Sequence, residues 1–179
     1  MAAGSTSTDG IVGVEPPLVV FVSSLLRELR AEREALQGAI LGMGIARPWV
    51  FEFTPATAQS LQCSYLEKAH ICDFFVLLID ENVSPAVELE FENALEHQRA
   101  MLVFLKADKE DKGCRRSAAA NALIRRIPTK WTTFTDPTDL ALKFRAAVSD
   151  EIVRRVREGL IALRSGELQW LEDAGSRLG

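Results

Sequence analysis

Six consecutive apolar residues, Phe74-Phe75-Val76-Leu77-Leu78-Ile79, stop abruptly at Asp80 and set the strongest limit on how this chain folds. A strand with no polar alternation is buried on both faces, which marks a parallel sheet covered by helices. A second run, Met101 to Leu105, follows a stretch that opens Ser84-Pro85 and carries Glu88, Glu90 and Glu92. In such sheets ligands bind outside the carboxyl ends of the strands, which is where the Asp80 to Glu88 segment is expected.

The remaining elements alternate around this pair. Pro16-Pro17 precede a first strand at Leu18 to Val22, because proline cannot extend a central ladder. Ser23-Ser24 offer capping hydroxyls to a helix whose apolar positions Leu25, Leu29, Leu36 and Ile40 recur at helical spacing as far as Gly42. Ile45 to Phe53 holds a second strand, interrupted by Pro48 and therefore placed at an edge or a bulge. Helices are predicted over Thr57–His70, Pro85–His97 and Arg115–Arg126, and a fifth strand over Lys130–Phe134. Asp136 or Thr138 caps a long last helix reaching about Leu163.

Strands alternating with helices give an α/β fold, a flavodoxin-like doubly wound parallel sheet of order 2-1-3-4-5 in three layers. Its switch point falls between the first and third strands. Ser23, Ser24, Asp80 and Glu88 are thereby expected to share one crevice. Residues 1–16 read as a small, polar, disordered leader, 17–163 as the domain and 164–179 as a tail carrying Trp170 and Leu171.

Composition narrows the function. With 25 acidic and 21 basic residues the chain is mildly negative, which argues against a large nucleic-acid footprint. The apolar runs are far shorter than the roughly 20 residues of a membrane span, and no signal peptide is recognisable. Cys63, Cys72 and Cys114 are odd in number and lack CxxC spacing, so neither a disulfide framework nor a zinc site is expected. A cytoplasmic, reducing location follows as the default. No GxGxxG, Walker or GxSxG motif is present, and no metal or bound cofactor is expected.

Each candidate residue also has a plain structural reading. Glu88, Glu90 and Glu92 near a helix start are favoured by the macrodipole alone, by roughly 0.3 to 1 kcal/mol each. Glu90 and Glu92 read as solvated, or paired with neighbours such as Arg99. Asp80 suits a turn, and Ser23-Ser24 a helix cap. Glu52 sits inside the apolar run Val50 to Phe53 and needs a partner if buried, at a strand end beside the crevice. His70 and His97 lie at helix ends, without triad or metal spacing.

Val20-Phe21-Val22-Ser23-Ser24, then Glu32-Arg33, Phe51-Glu52-Phe53, Cys72-Asp73 and Glu88-Leu89-Glu90-Phe91 with Ala94, taken in this order, resemble the TIR-like domain family of unknown function with a VFVSS pattern. Its members often precede NACHT or other STAND ATPases, and it is distantly similar to TIR domains and nucleoside deoxyribosyltransferases. The chain departs from that pattern at Leu25-Leu26, which replace Thr-Phe, and at the short Asp80-Glu81-Asn82-Val83 turn, which replaces a Gly-x-Arg-Tyr-Gly loop. Ser84-Pro85 followed by Glu88 and Ala94 is similar to the deoxyribosyltransferase helix that carries the nucleophilic Glu.

The resemblance implies an N-glycosidase acting on NAD or a related nucleotide in immune or anti-phage signalling, with NAD as substrate rather than cofactor. Glu88 is the implied catalytic carboxylate. Asp80 is a second acid that orients sugar hydroxyls or moves a proton. Ser23, Ser24, Arg27, Glu52 and Ser84 would bind substrate. A homo-oligomer, or a STAND or NACHT ATPase as partner, is implied as well. The alternative is a non-catalytic TIR-like module for self-assembly or partner recruitment.

Overall fold

The computed structural model describes residues 17–49, 61–107 and 116–176. In chain order the elements are β1 (Leu18–Ser23), α1 (Arg30–Leu41), β2 (Ala46–Trp49), α2 (Leu61–Ile71), β3 (Phe74–Ile79), α3 (Pro85–Glu96), β4 (Ala100–Lys106), α4 (Ala118–Arg126), β5 (Trp131–Phe134) and α5 (Pro137–Ser176). The five strands form one sheet of order β2-β1-β3-β4-β5, and every pairing is parallel. This is the doubly wound sheet expected from the apolar runs. Pro48 sits in β2, an edge strand, where a missing amide removes no ladder bond on the open side.

All six residues of β3 are buried, at 0 to 2% exposure. Their side chains alternate between two cores. Phe74, Val76 and Leu78 pack with Leu36 and Ile40 of α1 and with Leu140, Phe144 and Val148 of α5. Phe75, Leu77 and Ile79 pack on the other face with Ala69 of α2, Val87, Phe91 and Ala94 of α3, and Leu123 of α4. The register Val20↔Phe74 and Ser23↔Leu77 fixes which β1 side chains face each layer. The Asp73 carboxylate accepts from the Val19 amide at 2.7 Å and so ties the starts of β1 and β3 together.

Two helices differ from the sequence expectation. α1 begins at Arg30 with Leu29 at its N-cap position and no side-chain cap, so Ser23 and Ser24 do not start it. A turn over Leu26 to Glu28 intervenes, closed by the Glu28 and Leu29 amides on the Leu25 carbonyl. α5 continues past Leu163 to Ser176. Arg154 and Arg155 bridge Glu151, and Arg154 also reaches Glu158, at the three- and four-residue spacings that support a helix standing in solvent. The Asp136 carboxylate accepts from the Thr138 and Asp139 amides and is the cap of α5.

Phe91 carries the largest apolar load of α3 and is 0% exposed. Phe91→Ala is expected to lower unfolding stability by about 3 to 5 kcal/mol. Urea unfolding monitored by circular dichroism reads this directly.

Candidate functional site

A cavity of about 170 Å³ opens at the carboxyl ends of β1 and β2, beside the start of α3. Phe21, Trp49, Leu25, Leu26 and Val87 make its apolar walls, and Ser24, Arg33, Ser84 and Glu90 bring polar atoms to it. Trp49 stacks on Phe21 at 4.8 Å between ring centroids, and Phe21 stacks in turn on Phe75. A concave, mostly apolar site with a few convergent polar groups at the switch point is the usual form of a ligand pocket.

Alternation along β1 decides what each serine does. Phe21 and Ser23 point to the α3 layer, whereas Val22 and Ser24 point to the α1 layer. The Ser23 hydroxyl therefore meets α3 and donates to Glu90 Oε2 at 2.5 Å. Ser24 Oγ instead accepts from Arg33 Nη1 at 2.9 Å, and the same nitrogen donates to the Val22 carbonyl. Arg33 is 2% exposed, so its charge is held in the cavity wall rather than in solvent.

Glu90 is the acid that α3 turns inward. It follows Val87 by three residues and precedes Ala94 by four, which places it on the buried stripe of the helix. Burial pushes its carboxyl up from 4.5 to about 7, although the Ser23 hydrogen bond and the Arg33 charge both pull it down. The group thus changes charge near neutral pH. Ser84 caps the helix by accepting from the Val87 amide.

A second polar cluster lies on the opposite face of the sheet. Asp80 follows Ile79, so alternation sends it toward α1, where Lys106 Nζ lies 3.4 Å from Asp80 and 2.7 Å from the buried Glu32. Burial raises the Asp80 carboxyl, and Lys106 offsets this only in part. Burial pulls Lys106 down, but the hydrogen bond and charge of Glu32, with Asp80, outweigh it and hold the ammonium above its usual range. Glu28 accepts from the Asn82 amide at 3.0 Å and from its side chain at 2.8 Å, pinning the β3–α3 turn to the segment before α1. The Glu81 carbonyl accepts from the Ser117 amide and ties the same turn to α4.

Residues 19–149 match the family described as "Domain of unknown function (DUF4062)". The chain belongs to that family. The fold of this DUF4062 domain is similar to that of a Clostridium botulinum CMP N-glycosidase, BcmB, at 16% identity and a TM-score of 0.51, over 72% of this chain and 98% of that one. A fainter likeness, at 12% identity and a TM-score of 0.40, covers 73% of this chain and 36% of the Flv1 flavodiiron core from Synechocystis. No curated protein matches the sequence.

The domain brings some of the expected site residues together and separates others. Ser24 and Ser84 line the cavity. Ser23 lies just behind it, on Glu90. Glu88 is about 200° around the helix from Glu90 and is not among the lining residues. Asp80 belongs to the Lys106 cluster, and Arg27 is exposed on the turn after β1. Glu52 lies outside the described residues.

Glu90, expected to be solvated or paired with Arg99, is instead half-enclosed against Ser23. Glu92 does pair at the surface, with Arg126 at 2.7 Å. Val87, Phe91 and Ala94 form the buried stripe of α3, and Glu88 and Glu90 lie on its two flanks, so spacing alone does not separate them; the Ser23 contact does.

Cys72 is buried, and burial pushes its thiol up to about 12, which makes it a poor nucleophile. The His70 and His97 rings meet at 3.9 Å between centroids, tilted by 37°, at the ends of α2 and α3. Among the described residues no three His, Cys, Asp or Glu side chains are placed to share a metal ion, and no helix is long and apolar enough to cross a membrane.

A carboxyl raised in the folded state binds its proton more tightly there than in the unfolded chain, so its contribution to stability is full below about pH 4.5 and is lost as pH rises through about 7. Glu90→Gln is accordingly expected to be more stable than wild type at pH 8, by up to roughly 3 kcal/mol, and equal to it near pH 4. Urea unfolding at the two pH values measures the difference.

Proposed function

We propose that this domain is an N-glycosidase that cleaves the bond between ribose and base in NAD or a related nucleotide, with Glu90 as the carboxylate at the anomeric carbon. The observation that carries this reading is a desolvated acid on an aromatic-walled cavity, held by a buried hydroxyl and changing charge near neutral pH. As the bond from C1′ to nitrogen breaks, its electron pair leaves on the base and positive charge develops on the sugar. An ionised carboxylate beside C1′ stabilises that charge or captures it covalently. Water then supplies the new oxygen at C1′ and gives up a proton, which goes to solvent when nicotinamide leaves as a neutral base and to the base when it departs as an anion. Phe21 and Trp49 give the apolar surface a base requires.

The fold likeness to the CMP N-glycosidase BcmB supports the reaction class, and the sequence resemblance to TIR-like domains supports NAD as a substrate and a defence-signalling role. In this reading Glu88 and Asp80 are not at the reacting carbon. Asp80, held by Lys106, sets the end of β3.

Purified protein incubated with NAD and a nucleotide panel, at high concentration with a crowding agent, is expected to release nicotinamide or free base at a rate that rises with pH through about 7. Glu90→Gln is expected to lose at least ~10²-fold, with Glu88→Gln near wild type. Loss in Glu88→Gln alone would move the chemistry to the other flank of the buried stripe of α3.

A second reading, a self-assembly or recruitment module, is favoured by α5. Val153, Val156, Leu160 and Leu163 lie 46 to 66% exposed along it at spacings of three and four residues. The proposed occupant of this stripe is a second copy, with a STAND ATPase as the other outcome. Light scattering that grows with concentration and is abolished in Leu160→Glu supports the second copy. Monomeric wild-type protein excludes it.

A further inference from the structure

Ser23 is 1% exposed and is not among the residues lining the cavity, yet its hydroxyl reaches Glu90 Oε2 at 2.5 Å. A ligand in the cavity therefore meets Glu90 and Ser24, while Ser23 stays covered behind the carboxylate. Among the described residues that hydroxyl is hydrogen-bonded to Glu90, and it holds one carboxylate oxygen from the rear.

We propose that Ser23 is a positioning residue, whose hydroxyl fixes one oxygen of Glu90 from behind the cavity and aims the other at the bound ligand. Beta-strand alternation makes the contact, since Ser23 shares its face with Phe21 and faces α3 across the layer. The hydrogen bond also favours the ionised carboxylate over the protonated one. Among the described residues, the other charge facing Glu90 is Arg33 of α1. β1, β2 and the start of α3 bring Ser23, Ser24, Trp49 and Ser84, none of them charged at neutral pH.

The catalytic part of this inference rests on the glycosidase reading, but the ionisation of Glu90 can be measured without turnover. Carbon-13 NMR titration of the labelled Glu side-chain carboxyls, with Glu90→Gln to assign the signal, gives the midpoint directly. In Ser23→Ala that midpoint is expected to rise by about one to two pH units. Ser23→Thr, which keeps the hydroxyl, should restore it, whereas the nearly isosteric Ser23→Val should not.

If Ser23 only fills space, the variants will change the melting temperature and leave the midpoint where it was, and that result overturns the proposal. Should Ser23→Ala fail to fold, the Thr and Val pair answers the same question. With a substrate in hand, the pH profile of kcat should move with the NMR midpoint. A protein that releases no base from any nucleotide but still shows the shift would defeat the glycosidase reading and leave the positioning role standing.

Discussion

Burial of β3 on both faces is the constraint from which the rest of the structure follows. A strand whose six side chains are all within 2% of full burial requires a helical layer on each side, and its side chains alternate between the two cores. β1 pairs with one edge of β3 and β4 with the other, so the strand order reverses at β1 and β3. A crevice at their carboxyl ends follows from that reversal.

The same alternation that builds two cores also sorts the polar residues beyond the strand ends. Ser23 goes to the α3 layer, where Glu90 waits. Ser24 and Asp80 go to the α1 layer, where Arg33, Glu32 and Lys106 receive them. One step along a strand reverses the face. Residues adjacent in sequence thus acquire different work, and the acid-base cluster around Lys106 braces the sheet end while the Ser23–Glu90 pair borders the cavity.

Much of the fold was legible because its signals are local or repeat with a short period. The apolar runs, Pro48 at an edge, and the Ser84-Pro85 helix start each state a backbone preference that tertiary packing reinforced. The start of α1 was misread because Ser23-Ser24 look like a cap, yet their hydroxyls are engaged by Glu90 and Arg33, residues 67 and 9 positions away. The extension of α5 to Ser176 was missed as well. Past Val148 none of its described residues is buried in either core, so no buried stripe marks where it ends.

Sequence alone determined a parallel α/β sheet of known strand order, with acids and serines gathered toward its carboxyl edge, since periodicity and punctuation are written residue by residue. Which acid enters the cavity was decided only by tertiary structure. Glu88 and Glu90 differ little in local propensity, but helix α3 can bury only one face against β1 and β3, and the Val87, Phe91 and Ala94 stripe carries Glu90 inward with it. The raised pKa of that carboxyl comes from the same enclosure, a property of packed neighbours that no stretch of sequence holds by itself.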